Sequence, residues 1–276
     1  MISALYALVA IGFTLIFGVG GVLNLAHGAS ITIGAFAAYY AGRVFDLGLP
    51  VTVLAAIAVP AIFTGALYLG MIKRLEDEPI MVMITTLVLG VLIEQLIRLT
   101  AGGSSVALPT IVSGHFTIAG NKFQNTLGLM FVVSWVIILA LFAFVNYTKT
   151  GKAILATSMS HKGASLVGIN SSRVNLMTWV IAGAFTGIAG LFLGSFLTAS
   201  FNMGQDPLVL SFSIVVLGGI GSIRGSIVGA YLIGFLDVAT VNLLSSDLQG
   251  LAPLVVLVLV LMIKPEGLFG REFVEG

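Results

Sequence analysis

The chain has 276 residues, 58% of them hydrophobic and only 8% charged, with 34 glycines and no cysteine. A soluble domain carries about 25% charged residues, so no water-facing globular surface can be built from this composition. With a mean hydropathy of +1.15 the chain reads as a single all-α membrane domain over residues 1–276, a polytopic transmembrane helical bundle. Barrel strands would alternate apolar and polar residues, whereas the apolar runs here are continuous and close to the ~20 residues that cross a bilayer as a helix. A net charge of +1 gives no reason to expect a nucleic-acid partner, and the lack of cysteine excludes disulfides and thiolate metal sites.

In chain order, Ile2 to Gly18 is the first span, read as retained because no basic n-region or small-residue cleavage site accompanies it. Gly18, Gly20 and Gly21 interrupt it, and a second apolar run follows from Ala29 to Ala41. The residues between, Val22 to Gly28, are too polar for lipid contact and too apolar for a water loop. Such a segment is tolerated at membrane depth only when buried in protein or lining a cavity. Val51 to Ile72 spans next with a kink expected at Pro60, then a charged loop from Lys73 to Pro79, then a span from Ile80 to Leu99. Thr100 to Asn125 is a glycine-rich loop and Thr126 to Asn146 a span.

The stretch from Tyr147 to Arg173 is the longest polar interruption, with Lys149, Lys152, Lys162 and Arg173. Beyond it, Val174 to Phe196 spans, Phe201 to Pro207 is a polar link, and Leu208 to Gly221 is too short to cross alone. Ser222 to Gly225 breaks the chain before a span from Ser226 to Leu244, and Leu251 to Ile263 is the last span before a charged tail opening with Lys264-Pro265-Glu266-Gly267. The total is about eight or nine membrane segments, some broken or re-entrant. The positive-inside rule places the 147–173 loop in the cytoplasm with Lys73, Arg74, Arg224, Lys264 and Arg271, nine of the twelve basic residues. Arg43, Arg98 and Lys122 fall outside, as does the N-terminus. The series Gly20, Gly21, Gly28, Gly34 echoes Gly218, Gly219, Gly225, Gly229, which reads equally as chance spacing or as a duplicated broken helix.

Catalytic signatures are missing. Gly151-Lys152 has neither the preceding glycine nor the following Ser or Thr of a phosphate-binding loop, Gly163 to Val167 fails the nucleophile elbow at its last position, and His27, His115 and His161 lie too far apart in sequence to suggest a metal site. No cofactor is implied. Of the ionisable residues within spans, Glu94 and Arg98 share a helix face and read best as an ion pair near the outer boundary, although a gate or substrate contact is the alternative. Asp237 fits a pore group or a local pairing, and Asp206 reads as solvated in the outer link. The four-residue glycine spacings at Gly183, Gly187, Gly190 and Gly194 mark close helix packing. Asn24 and His27, polar beside a glycine break, fit a satisfied buried pair or a lined route.

Within the organising loop, Ala153, Ala156, Ser160, Ala164 and Val167 recur at helical spacing, so a helix from about Lys152 to Val167 carries one stripe of small side chains. Gly168 supplies its stop, and Ser171 or Ser172 a cap for the next helix. A short helix with a small-residue face suits docking in a groove of another protein better than resting on lipid headgroups.

Four segments together carry a family resemblance: Asn24 to Gly28, Gly151-Lys152-Ala153-Ile154 through Ala164 to Gly168-Ile169-Asn170, Val216 to Ser222, and Lys264 to Gly270. Their order resembles that of the membrane permeases of branched-chain amino acid ABC importers. The resemblance implies a prokaryotic cell-membrane subunit that pairs with a second permease, two ATPase subunits and an extracytoplasmic binding protein. It works by alternating access and hydrolyses nothing itself. It also implies that the loop with Gly151, Lys152, Ala153, Ala156, Ala164 and Gly168 couples to the ATPase. Asn24, His27, Gly28, Glu94, Gly219 and Gly221 are then the candidate path residues. A different class of function, an ATP-independent channel for a small polar solute such as urea, would give flux without nucleotide and would not need the loop.

Overall fold

The computed structural model describes residues 1–118, 120–243, 245, 248, 250–264 and 266–269, with the backbone alone at Ile118 and Ala252. Among the described residues eleven α-helices follow one another: α1 (Ile2–Gly20), α2 (His27–Tyr39), α3 (Gly48–Gly70), α4 (Pro79–Ala101), α5 (Asn125–Tyr147), α6 (Lys149–Met159), α7 (His161–Leu166), α8 (Ser171–Phe196), α9 (Gln205–Gly218), α10 (Ile223–Leu243) and α11 (Leu251–Ile263). Among the described residues six are long and apolar enough to cross a membrane: α1, α3, α4, α5, α8 and α10. The eight or nine segments expected are therefore not confirmed as crossings. With 13, 14 and 13 residues, α2, α9 and α11 rise only about 20 Å at 1.5 Å per residue, short of the ~30 Å hydrocarbon layer.

α1 is the axis, with 83% of its apolar window buried against 22% for the peripheral α4. Its core cluster joins Leu8, Ile11, Leu15 and Val19 to α5, α9 and α10 through Ile138, Leu141, Ile214 and Ile233. Thr14 and Ser226 add a buried hydrogen bond of 2.6 Å between α1 and α10. α8 packs through its glycines. A side chain at Gly183 would collide with Thr64 and Pro60, one at Gly187 with the Ala56 carbonyl, and one at Gly190 with Ile31, so α2 and α3 lie almost backbone to backbone with α8. Close approach of this kind is how helices associate where lipid removes the hydrophobic drive, and it bears out packing as the reason for the glycine spacing. Thr64 bridges the α3–α8 contact by donating to the Trp179 carbonyl at 2.8 Å.

Most of the described basic residues gather at one end of the bundle. Tyr68 of α3 meets Ser172 of α8, Gly18 meets Gly221, and the Leu268 amide donates to the Leu217 carbonyl at 2.8 Å. Lys73, Arg74, α6, α7, the start of α10 and Lys264 thus share this basic end, while Arg271 and Pro265 lie outside the described residues. At the far end the Val106 and Ala199 backbones exchange hydrogen bonds and Arg98 stacks on Phe201.

Two irregular stretches depart from the through-going helices, and they mirror each other. α1 runs to the basic end, and its left-handed C-cap at Gly21 (φ 65°) turns the chain. Residues 22–26 then climb back to the middle of the bundle, where the His27 ring reaches the Val9 carbonyl halfway along α1, and α2 continues from there to the far end. α8 runs the other way, the chain turns back over residues 197–204, and α9 continues from the same level to the basic end. The meeting point is Gly28 against Gly204, where a Cβ on Gly28 would stand 2.6 Å from the Gly204 carbonyl oxygen. The glycine series that echoed in the sequence does not mark this relation, since Gly225 packs on Gly218 at the basic end.

Other expectations are corrected locally. The all-helical reading fails at β1 (His115–Ile118) and β2 (Asn121–Gln124), an antiparallel hairpin with Phe116 stacked on Phe123 at 5.8 Å. The single loop helix expected over 152–167 is two, because Ser160 is extended (φ −163°) and its hydroxyl accepts from the Gly163 amide, capping α7 instead of continuing α6. Gly168 (φ 83°) stops α7 as expected, but Asn170, not a serine, caps α8 by accepting from the Arg173 amide at 3.0 Å. Pro60 lies inside an unbroken α3. Gly187→Ala forces its methyl into the Ala56 carbonyl and is expected to destabilise the bundle by about 1–3 kcal/mol, read as a lower melting temperature in detergent. Gly70→Ala, with open space around its Cβ, should leave that temperature unchanged.

Candidate functional site

The middle of the bundle holds a polar cluster built on the two facing helix starts. The N-termini of α2 and α9 abut there, each with amides that no helical carbonyl satisfies and a partial positive charge. Asn24 is 1% exposed; its Oδ1 accepts from the Ala26 amide at 3.0 Å, holding the carboxamide over the start of α2, and its Nδ2 has no partner among the described residues. His27 Nε2 donates to the Val9 carbonyl at 3.1 Å, which leaves Nδ1 without a partner among the described residues, and Phe13 meets the ring edge-on at 5.5 Å. Of the two readings left open for Asn24 and His27, a satisfied pair is set aside. The two are not bonded to each other, and each keeps one unmet polar atom.

α4 closes the cluster from the side. Its positions 86, 90 and 94 lie on one face. Thr86 Oγ1 accepts from the Leu25 amide at 3.0 Å, Gly90 lies against Ala26, and Glu94, 7% exposed, accepts from Gln205 Nε2 at 2.8 Å. The ion pair expected for Glu94 and Arg98 gives way to other partners, Gln205 for the carboxylate and the Phe201 ring for the guanidinium, 5.3 Å from its centroid. Gln205 went unnoticed in the sequence. The signal available was Asp206-Pro207 after a glycine, a helix start with an acid in its first turn. Asp206 sits in that exposed first turn, level with Gly28, not in a remote link. Asp237 is settled as a local pairing, accepting from the Gly250 amide at 2.8 Å.

Gly219 and Gly221 do not join this cluster. Both have positive φ (97° and 77°) at the basic end, where Gly221 touches Gly18 and the Gly219 backbone touches Gly267. They make the turn between α9 and α10.

At the basic end the 147–173 loop forms an elbow. Thr148 caps α6 by accepting from the Gly151 amide at 2.9 Å, and Gly151 is pressed so close to Val145 and Phe144 that no side chain fits. Ala153 packs on the α1 core, Ala156 is half-buried, and Ala164 is 3% exposed. Of the small stripe, Ala153, Ala156 and Ala164 face the protein's own helices while Ser160 and Val167 are exposed, so the expected single outward small-residue face is split. The outward face is bulky: Leu155 is 44% exposed, Met159 64%, Leu166 79% and Val167 75%, beside exposed Lys152 and Lys162.

Two contacts tie this elbow inward. His161 Nε2 donates to the Val19 carbonyl in the last turn of α1. Glu76, in the α3–α4 turn, accepts from the Tyr68 hydroxyl and from Asn175 Nδ2, the latter at 3.0 Å, so α3 and the first turns of α8 are held together. Neither was evident from the sequence, because each joins segments remote along the chain. Among the described residues no group of three His, Cys, Asp or Glu side chains gathers as a metal site would. The arrangement offers fixed dipoles, the carboxylates of Glu94 and Asp206 and unmet hydrogen-bonding atoms in the bundle's middle, and an apolar patch at its basic end.

The sequence is similar to those of known proteins. Residues 1–262 match the family described as branched-chain amino acid transport system / permease component. The chain is 30% identical to the high-affinity branched-chain amino acid transport system permease protein LivH of Salmonella typhimurium and 31% identical to LivH of Escherichia coli, in each case over 99% of this chain and 94% of the relative. It is 25% identical to the autoinducer 2 import system permease protein LsrD of Yersinia pseudotuberculosis, over 91% of this chain and 78% of the relative. No solved structure matches. With a family match over nearly its whole length and relatives of this identity, the chain belongs to the branched-chain amino acid transport permease family.

Proposed function

We propose that this chain is a membrane-spanning permease subunit of an ABC importer for branched-chain or related small amino acids, in the cell membrane of a prokaryote. ATP is hydrolysed on partner ATPase subunits, a second permease subunit completes the path, and an extracytoplasmic binding protein delivers the substrate. The observation that carries the reading is the outward face of Leu155, Met159, Leu166 and Val167 at the basic end. Beside lysines and beyond the helices that cross the membrane, an apolar face of this kind fits a protein or a lipid surface, and in this reading the partner ATPase of the importer covers it. An ATP-independent channel would have no use for it.

In this reading Gly151 and Gly168 shape the elbow, Ala153, Ala156 and Ala164 seat it on the bundle, and Lys152 flanks the docking face. Asn24, His27, Gly28 and Glu94 line the route at its middle, joined by Gln205 and Asp206, while Gly219 and Gly221 form a flexible turn at the inner mouth. A zwitterion suits such a lining, with helix N-termini for its carboxylate and Glu94 for its ammonium group. The subunit stores no energy; it converts closure of the ATPase pair into exposure of the route to one side and then the other.

Co-purification with the cognate ATPase and uptake of labelled leucine into proteoliposomes test the reading. Leu166→Asp combined with Val167→Asp should abolish ATPase co-purification and ATP-driven uptake while the permease still inserts. Flux that persists without nucleotide would support the channel instead. Glu94→Gln should leave the ATPase bound and raise the KM for uptake about tenfold, the equivalent of ~1.4 kcal/mol.

A further inference from the structure

We infer that His161 is the positioning residue that passes movement of the docking elbow to the mid-bundle cluster, by way of the Val19 carbonyl; this rests on the importer reading above. Four observations converge on that contact. First, the hydrogen bond is the elbow's polar grip on α1: His161 opens α7, directly after the Ser160 break that separates it from α6. Because a carbonyl only accepts, Nε2 carries the proton, and the ring acts as a donor in either charge state.

Second, Val19 is 2% exposed and lies in the last turn of α1, where carbonyls have no helical partner. Phe17, two residues earlier, still finds a helical amide at Gly21, whereas Val19 takes its donor from His161. Pulling α7 away therefore either drags the end of α1 or strands a buried acceptor.

Third, the end of α1 meets few bulky side chains on the side facing α10. Gly18 is against Gly221, glycine on glycine, and a void of about 30 Å³ opens beside Val19 between Thr14, Val145, Ile154 and Ile223. Fourth, the chain just beyond α1 forms a lever. Gly20 and Gly21 let the backbone turn, and residues 22–26 run directly from there to Asn24 and His27. A displacement of α7 thus reaches the polar cluster through one carbonyl in the last turn of α1 and the irregular residues 22–26.

The test uses the assembled importer, with both permeases, the ATPase subunits and the binding protein in proteoliposomes, and reads ATPase activity and uptake separately. His161→Ala should keep the complex assembled and hydrolysing ATP while uptake per ATP falls about fivefold to tenfold. His161→Gln, which can still donate, should recover most of it. Because the chain has no native cysteine, Leu23→Cys gives a second readout. Its maleimide labelling should change when nucleotide is trapped in the otherwise unsubstituted complex, and that change should vanish with His161→Ala. Wild-type uptake per ATP in His161→Ala, a Leu23→Cys response that survives it, or loss of assembly in place of uncoupling would each overturn the inference. Absence of ATP-driven uptake in the unsubstituted complex would instead overturn the importer reading itself.

Discussion

Unpaired peptide groups are too costly to leave facing lipid, so irregular backbone inside a membrane must be enclosed by protein. The two returning stretches, 22–26 and 197–204, meet that constraint together. They end at the same level on helices whose first turns touch at Gly28 and Gly204. Everything near them serves the enclosure: α1 behind, α8 packed through its glycines, and α4 closing the side with Thr86 and Glu94. A bulkier residue at either glycine would part the two helix starts and admit lipid to the peptide groups they shield.

The same constraint explains why unmet polar atoms survive here. Asn24 and His27 each spend one atom on the backbone to hold the bend and keep another free. In a packed bundle such atoms are usually paired. What sets Asn24 and His27 apart from the other unmet atoms, on Ser134, Asn175 and Ser195, is that both lie by the facing starts of α2 and α9.

Much of this was readable in the sequence. Continuous apolar runs gave the crossing helices, the glycine break and polar island gave the return at 22–28, and Gly168 gave the stop before α8. What stayed hidden depends on partners far apart along the chain. Nothing near residue 204 announces that it abuts Gly28, and Glu94 reads as the neighbour of Arg98 until Gln205 is brought beside it. The elbow was misread for a related reason. Ala153, Ala156, Ser160 and Ala164 keep helical spacing across a real break, and periodicity alone does not show that Ser160 caps a new helix. With the break in place, Ala153, Ala156 and Ala164 turn inward with Ile154, and Leu155, Met159, Leu166 and Val167 remain outside.

The segment after α11 bears on how the molecule can be handled. Gly267 (φ 79°) lets the chain fold back, and the Leu268 and Phe269 amides hem the final carbonyls of α9, Leu217 and Gly218. Those few residues are thus stitched to a helix that begins at the bundle's centre. A fluorescent reporter or affinity handle grafted close behind Phe269 would hang its weight on α9, and a generous spacer would relieve the strain.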